Sequence, residues 1–498
     1  MKRLKQYHST NFFPQHLVLP FAAAGVLALV SLTLHFNGLY GQDAHEYLRL
    51  SRAYYDQLRG ISYQPLGRGD VVFAVGYPLS GALLRFAGLP APAALQVVSW
   101  LSAAAALYGF DACIRVLSPG AHRWSRRLYA VVALGLSGQF VRAGVSVMSD
   151  ALGLALLLGA FHYGLRAVEG RRGRDAVWAA FFCGGSLLTR FAVAPLLVPL
   201  ALGVAVALLR VPARPGRRDW NAGWLGLAFL TGLLMLAPHF LLKSQSAVSP
   251  FSHSLLIDWS PFNLFRATLT EASGTVSYRF PNAVFILYPL AHPGFLLPLP
   301  LLFLMARRTD FLLPAKRVLL VCLAAYGLFL GGLPSQNIRY LLPAYTLVLL
   351  LMFPAWDRFV SYGFYFFKKL TSGLVLGAVL LQVFFTVKMM WPVWQRNRLE
   401  KLAAEKIQAA TTPGAAVYAF DLDIALRTYL PDRRVMGLWE RHYESFEEGA
   451  LFLFNEPRLR QQWQDRNPML NWETAVQEHS LAPLDSLPDG WTLYRIVK

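Results

Sequence analysis

Residues Leu17 to Phe36 read LVLPFAAAGVLALVSLTLHF, a run of apolar side chains without one Lys, Arg, Asp or Glu. About 20 such residues cross the hydrocarbon layer of a bilayer as a helix. The run follows a basic head with Lys2, Arg3 and Lys5. A secretory signal starts similarly, but has a shorter apolar core and a small-residue cleavage site. The expectation is an uncleaved first span with the N-terminus in the cytoplasm.

Working outward, similar runs recur at about 91–114, 128–145, 149–168, 176–192, 193–209, 221–242, 283–305, 317–333, 338–354 and 371–391, predicting about 11 transmembrane helices. Whole-chain composition agrees: 55% of the 498 residues are hydrophobic and only 15% are charged, against roughly 25% charged in soluble domains. The net charge of +19 would fit a nucleic-acid binder, but its distribution argues against that partner. Basic residues gather in alternate connections: Arg115, Arg123, Arg126 and Arg127; Arg166, Arg171, Arg172 and Arg174; Arg210, Arg214, Arg217 and Arg218; Arg307, Arg308, Lys316 and Arg317; Arg358, Lys368 and Lys369. Cytoplasmic loops carry such an excess, so the other connections and the C-terminus are expected outside. Cys113, Cys183 and Cys322 all lie in or beside apolar runs, which implies no disulfide framework.

The predicted fold class is an all-α polytopic membrane bundle, N-in and C-out, with a small extracytoplasmic α/β domain. The bundle covers 1–391 and contains two long outer loops, 37–90 and 243–282. Within the first loop, Val71 to Leu89 is apolar but broken by Gly76, Pro78 and Arg85, which predicts an interfacial or re-entrant helix. The second loop holds Trp259, Phe262, Phe265 and Tyr278, read either as interfacial anchors or as platforms for sugar rings. From 392 to 498 charges become frequent and mixed. Strands are predicted at Ala415–Phe420, Ala450–Phe454 and Trp491–Val497, with a helix over Asp423–Leu430.

The richest chemical stretch is Gly41-Gln42-Asp43-Ala44-His45-Glu46-Tyr47, just past the first span. On a helix Asp43 and Glu46 share a face. They read either as a cap and capping box or as working acids. Asp150, after Val145 to Ser149, falls at the same side of the membrane and reads either as part of a helix cap or as a second acid. Arg142, Arg190, Lys243, Arg279 and Arg339 sit near outer span ends against the general charge bias. Long cations there can simply snorkel; Arg339, followed by Tyr340, can equally grip a lipid phosphate through its planar fork. No Walker loop, dinucleotide fingerprint, HExxH or CxxC pattern occurs.

With these residues in order, the chain resembles the GT-C superfamily of membrane glycosyltransferases, which includes protein O-mannosyltransferases and lipid A aminoarabinose transferases. The resemblance rests on Asp43 to Tyr47, Gly76-Tyr77-Pro78-Leu79, Met148-Ser149-Asp150-Ala151-Leu152, Leu188-Thr189-Arg190-Phe191 and Arg339-Tyr340-Leu341-Leu342-Pro343. It implies a transfer of sugar from a polyprenyl-phosphate donor to a glycan, lipid or protein acceptor at the outer face of the membrane. Direct displacement by one base would make the transfer inverting, and a tail without sequons on a chain short for a eukaryotic mannosyltransferase points to a bacterial inner membrane. Asp43 matches the first-loop catalytic acid and Asp150 the second-loop acid, which in some relatives binds a divalent cation such as Mg or Mn. Arg339 matches a basic position near the donor phosphate. Many relatives have two adjacent acids in the first loop; here Ala44 and His45 separate Asp43 from Glu46, so either acid is a candidate base. The expected phosphate and substrate group is Arg339, Tyr340, Lys243, Arg190 and His45, with Asp43 and Asp150 as the metal candidates.

The residue types suit the reaction on their own terms. A lipid phosphate is already a good leaving group, so one carboxylate suffices to take the acceptor's proton, and cations must meet the charge growing on the phosphate. Rival readings are a lipid-linked glycan ligase or polymerase, a secondary transporter or flippase, and a scaffold whose tail binds a partner. A transporter needs ionisable groups at mid-membrane and often paired halves; charges here cluster at span ends.

Overall fold

A computed structural model of the chain describes residues 18–61, 73–210, 221–243, 258–271, 274–295 and 299–497. The basic head, part of the segment Val71–Leu89, and residues 244–257 of the second long loop lie outside them.

The bundle begins with α1 (Val18–Thr33), α2 (Gly41–Leu58), α3 (Gly76–Arg85) and α4 (Ala91–Leu117). A bent pair follows, α5 (Arg123–Tyr129) running through a π-helical turn (Ala130–Gly135) into α6 (Gly138–Val145), with a 77° change of direction. Next come α7 (Asp150–Gly170), α8 (Gly173–Thr189), α9 (Ala194–Leu209) and α10 (Asn221–Lys243). Three short helices, α11 (Asn282–Phe285), α12 (Tyr288–Ala291) and α13 (Leu299–Met305), lead to α14 (Pro314–Gly331), α15 (Leu341–Phe366) and the long α16 (Lys368–Ala410). The main core lies where α4, α7, α9, α14 and α15 meet, around Phe110, Leu158, Phe161, Leu200, Tyr326 and Tyr345.

Seven described helices are long and apolar enough to cross a membrane, eight with the bent pair; the expected count of about eleven is not reproduced. Three expected spans account for the difference. α1 begins at the first described residue, Val18, and has 16 residues within the described range. At 1.5 Å per residue, the 17 residues of α8 reach only about 26 Å, short of a ~30 Å hydrocarbon layer. The apolar run 283–305 is broken into α11, α12 and α13. Pro289 sits in the first turn of α12 and Pro293 follows its end, and proline removes the donor that a continuous helix needs.

The C-terminal part is a five-stranded sheet in the order β4-β3-β5-β7-β6, after a small hairpin of β1 (Thr268–Glu271) and β2 (Gly274–Ser277) in the bundle's second long loop. β3 (Ala416–Ala419) runs parallel to both β4 (Arg434–Gly437) and β5 (Leu451–Phe454). β7 (Trp491–Val497) is antiparallel to β5 and to β6 (Ser480–Leu487). The expected strands and the helix α17 (Asp423–Tyr429) are present. β4 and β6 are additions; β4 has four residues, and Pro483 falls within β6. The C-terminal end of α16 covers one face of the sheet through Leu399, Ala403 and Ile407. On the other face Phe452 and Phe454 pack against Trp472 of α19 (Asn467–Glu478). Every residue of β3 and β5 is therefore buried, as expected for parallel strands covered on both sides. α16 is continuous across residue 391 and carries the bundle directly into this domain.

Candidate active site

Two close backbone contacts assemble one end of the bundle. Gly38, with φ +78°, lets the chain after α1 turn against the segment before α7, and its carbonyl accepts from Val147 N–H at 2.8 Å. A Cβ at Gly38 would sit 2.7 Å from Val147 Cγ2, so a larger residue would push the two segments apart. At the start of α3, a Cβ on Gly76 would stand 2.7 Å from Thr189 Oγ1 and 2.9 Å from the Leu188 carbonyl oxygen, at the end of α8. Tyr77 then fastens α3 to α4 by donating to the Leu95 carbonyl at 3.0 Å and sharing a hydrogen bond with Ser99.

These contacts bring four charged side chains from four distant segments together. Asp43 lies in the first turn of α2 and Asp150 opens α7. Neither caps its own helix: the N-cap positions are Tyr40 and Ser149, and neither makes a side-chain cap bond. The capping readings therefore fail, because both carboxylates are taken by arginines. Arg190 follows α8 in extended conformation and pairs with Asp150 Oδ1. Arg339 sits in a 3-10 turn (Ile338–Tyr340), where its N–H is held by the Asn337 side chain at 3.1 Å. From there Arg339 donates to Asp150 Oδ2 through Nε (3.0 Å) and Nη2 (2.8 Å), and to Asp43 Oδ2 through Nη1 (2.5 Å). Tyr340 offers its ring to the Arg190 guanidinium, 4.9 Å from the centroid.

Exposure separates the two acids. The Asp150 side chain is 4% exposed and that of Arg339 13%, whereas Asp43 is 42% exposed. A buried carboxylate whose two oxygens both receive guanidinium donors is a structural anchor; an exposed carboxylate held by one donor keeps a free side for a substrate. Tyr47, one turn on from Asp43, shares a 2.8 Å hydrogen bond with Ser149 and packs edge-on against Phe73 and Tyr77. Burial, reinforced by the nearby Asp43 charge, holds the Tyr47 phenol well above its ordinary range, so it stays protonated.

The other sequence candidates divide. Lys243, at the end of α10, donates to the Phe73 carbonyl and so borders the same group of aromatics. Glu46 points away, into a pair with Arg49 at 2.8 Å. His45 is fully buried and binds Glu400 of α16 at 3.1 Å. Glu400 also accepts from Arg396 at 2.8 Å and from Gly41 N–H at 3.0 Å, which satisfies the start of α2 from a helix more than 350 residues away. His45 and Glu400 thus join the bundle to the C-terminal domain beneath Asp43. Glu400 carries no sequence signal, being one acid among several on an amphipathic helix. Arg142 also faces the cluster: with Gln139, Asp150 and Arg339 it lines a water-sized cavity of about 10 Å³, and its Nε has no hydrogen-bond partner among the described residues.

Comparison with solved structures shows what this assembly is similar to. The crystal structure of ArnT from Cupriavidus metallidurans bound to undecaprenyl phosphate superposes with a TM-score of 0.61 at 16% identity, over 96% of this chain and 97% of that one. The apo state of the same protein gives 0.56 at 14%, over 95% and 98%. The chain shares the fold of this ArnT structure along its length. The archaeal oligosaccharyltransferase AglB from Archaeoglobus fulgidus, in complex with an inhibitory peptide and a dolichol-phosphate, aligns at a TM-score of 0.49 and 13% identity, over 84% of this chain and 64% of its own. No family model and no curated protein matches at the sequence level.

The sequence resemblance implies a divalent cation in some relatives, with Asp43 and Asp150 as its expected ligands here. The arrangement does not fit one. Both oxygens of Asp150 and one of Asp43 receive arginine donors, so a cation would have to displace Arg339 and Arg190. Among the described residues no group of three or more His, Cys, Asp or Glu side chains converges.

Proposed function

We propose that the protein is an inverting glycosyltransferase that moves a sugar from a polyprenyl-phosphate carrier to a glycan, lipid or protein acceptor at the outer face of a bacterial inner membrane. The observation that carries this reading is the bridge made by Arg339 between a buried acid, Asp150, and an exposed one, Asp43. It places a cation fit for phosphate beside a carboxylate fit for a hydroxyl proton. The full-length match to an ArnT structure holding undecaprenyl phosphate supports the donor class.

In the proposed reaction Asp43 takes the proton of the acceptor hydroxyl. The hydroxyl oxygen forms a bond to the anomeric carbon as the bond from that carbon to the phosphate oxygen breaks, on the opposite face. Inversion follows from this single displacement. The polyprenyl phosphate leaves with the bond's electron pair, and Arg339 stabilises it, supported by Lys243 and by Arg190 through Tyr340. Asp150 positions both arginines; Glu46 and His45 take no part in the chemistry. No step is routed through a metal. The isoprenoid tail stays in the bilayer because each buried CH₂ contributes about 0.8 kcal/mol, which explains a site at the end of an apolar bundle.

The test is sugar release from a panel of polyprenyl-phosphate sugars by membranes containing the wild type or Asp43→Asn. Turnover of a donor by the wild type alone is expected. Equal turnover by both would remove Asp43 as base and shift weight to Glu46 or to the transporter reading.

A further inference from the structure

The C-terminal domain has a feature that the donor chemistry leaves unused. Its three parallel strands, β3, β4 and β5, all point their carboxyl ends at one crevice of about 310 Å³. Phe420 and Asp421 follow β3, Trp439 follows β4, and Arg458 and Trp463 stand on α18 (Glu456–Trp463) after β5. The chain leaves β3 for β4 on one side and returns to β5 on the other. In open α/β sheets ligands bind outside the carboxyl ends of strands at such a reversal. Small-molecule sites begin near ~300 Å³. The last wall is Gln42, from the first turn of α2 and adjacent to Asp43.

The lining has a defined chemistry. Trp439 is 44% exposed although its Nε1–H is tethered to Asp423 at 3.4 Å, which fixes the indole without covering it. Trp463 meets Phe420 edge-on at 4.8 Å. Asp421 adopts φ +64°, a conformation that L residues avoid and that tends to persist at ligand sites. Its Oδ2 is shared by Arg396 at 2.8 Å and by the half-exposed Arg458 at 3.5 Å. Held aromatic faces beside an amide, a carboxylate and a guanidinium suit a ring with an apolar face and a rim of hydroxyls. A lipid tail would leave these polar groups unpaired.

We propose that this crevice is a saccharide site that seats the acceptor's sugar and directs its hydroxyl to Asp43. It rests on the transferase reading above and deepens it: the acceptor carries a glycan, and the C-terminal domain selects it. Trp439 supplies the stacking face. Arg458 and Asp421 read the hydroxyl rim, and Gln42 spans the joint between the seated sugar and the carboxylate beside it.

The test uses the full-length protein in lipid nanodiscs on an array of bacterial envelope oligosaccharides, with Trp439→Ala, Trp439→Phe and Arg458→Ala alongside. On the same preparations, acceptor-free hydrolysis of the polyprenyl-phosphate sugar is followed. The wild type is expected to retain at least one oligosaccharide, Trp439→Ala and Arg458→Ala to weaken retention by about tenfold or more, and Trp439→Phe to keep most of it, with hydrolysis unchanged in all. A wild type that retains no oligosaccharide, or variants that retain it equally, would overturn the proposal. Retention that depends on Trp439 without turnover of any donor would uphold the saccharide site and sink the transferase reading alone.

Discussion

Asparagine at position 43 and asparagine at position 150 should fail in opposite ways. Asp150 is almost fully buried, with three arginine donors on its two oxygens. Asp150→Asn keeps the shape but turns an amide N–H₂ toward guanidinium groups and leaves two buried cations short of one counter-charge. Breaking a buried pair from one side costs about 3–5 kcal/mol, a large share of the ~5–15 kcal/mol that keeps most domains folded. Asp43 is 42% exposed and makes one contact with Arg339, while Arg339 retains both bonds to Asp150. Losing that contact should cost about 1 kcal/mol or less. In catalysis the order reverses: removing a general base lowers turnover by about 10²–10⁴-fold, or roughly 3–5.5 kcal/mol of barrier. The assay pairs thermal unfolding in detergent, followed by intrinsic fluorescence, with single-donor turnover. Asp43→Asn should melt close to the wild type and be nearly inactive; Asp150→Asn should melt many degrees lower. An Asp150→Asn protein as stable as the wild type would refute the view that these arginines depend on that carboxylate. An Asp43→Asn protein with full turnover would refute the base.

Arg339→Lys replaces a fork that reaches two carboxylates with a single point charge; turnover should fall by about 10²–10³-fold, with the melting temperature measured to separate lost chemistry from lost packing. Glu400→Gln, facing donors from His45, Arg396 and Gly41, should destabilise the joint between α2 and α16 by about 3–5 kcal/mol, read as earlier protease cleavage between bundle and C-terminal domain. Asp423 is held at a pKa of about 6, chiefly by burial and further by Glu440, against the opposing pull of Arg427 and the Trp439 hydrogen bond. Because the folded form binds its proton more tightly than the unfolded one, stability should be greatest below the ordinary aspartate pKa and fall as pH rises through about 4 to 6. Asp423→Asn should remove that slope and raise the melting temperature at pH 7.5, and a melting curve with unchanged pH dependence would count against it.

Much of the helical layout was legible because apolar composition is a local property. The strands at Ala416–Ala419, Leu451–Phe454 and Trp491–Val497 were legible for the same reason: each is a short β-rich run between turn residues. The run 283–305 is broken among the described residues around Pro289 and Pro293, which mean hydropathy does not register. β4 was missed because Arg434-Val435-Met436-Gly437 has no strand pattern of its own; pairing with β3 makes it one. Asp43, Asp150, Arg190 and Arg339 stood out as charges at the ends of apolar runs, where ionisable groups are expensive. The family resemblance favoured Asp43 as base, but its spacing of three from Glu46 on the same helix did not by itself separate the two.

The sequence by itself determined a membrane-embedded helical chain with a mixed α/β tail, since hydrophobic runs and their charged borders act over about 20 residues. Only the tertiary structure decided which acid is exposed and which is locked. Arg339 lies 189 positions from Asp150 and 296 from Asp43, and Glu400 lies 355 from His45. Burial and pairing of a charge depend on what the folded chain brings within about 3 Å of it, and no local pattern encodes that.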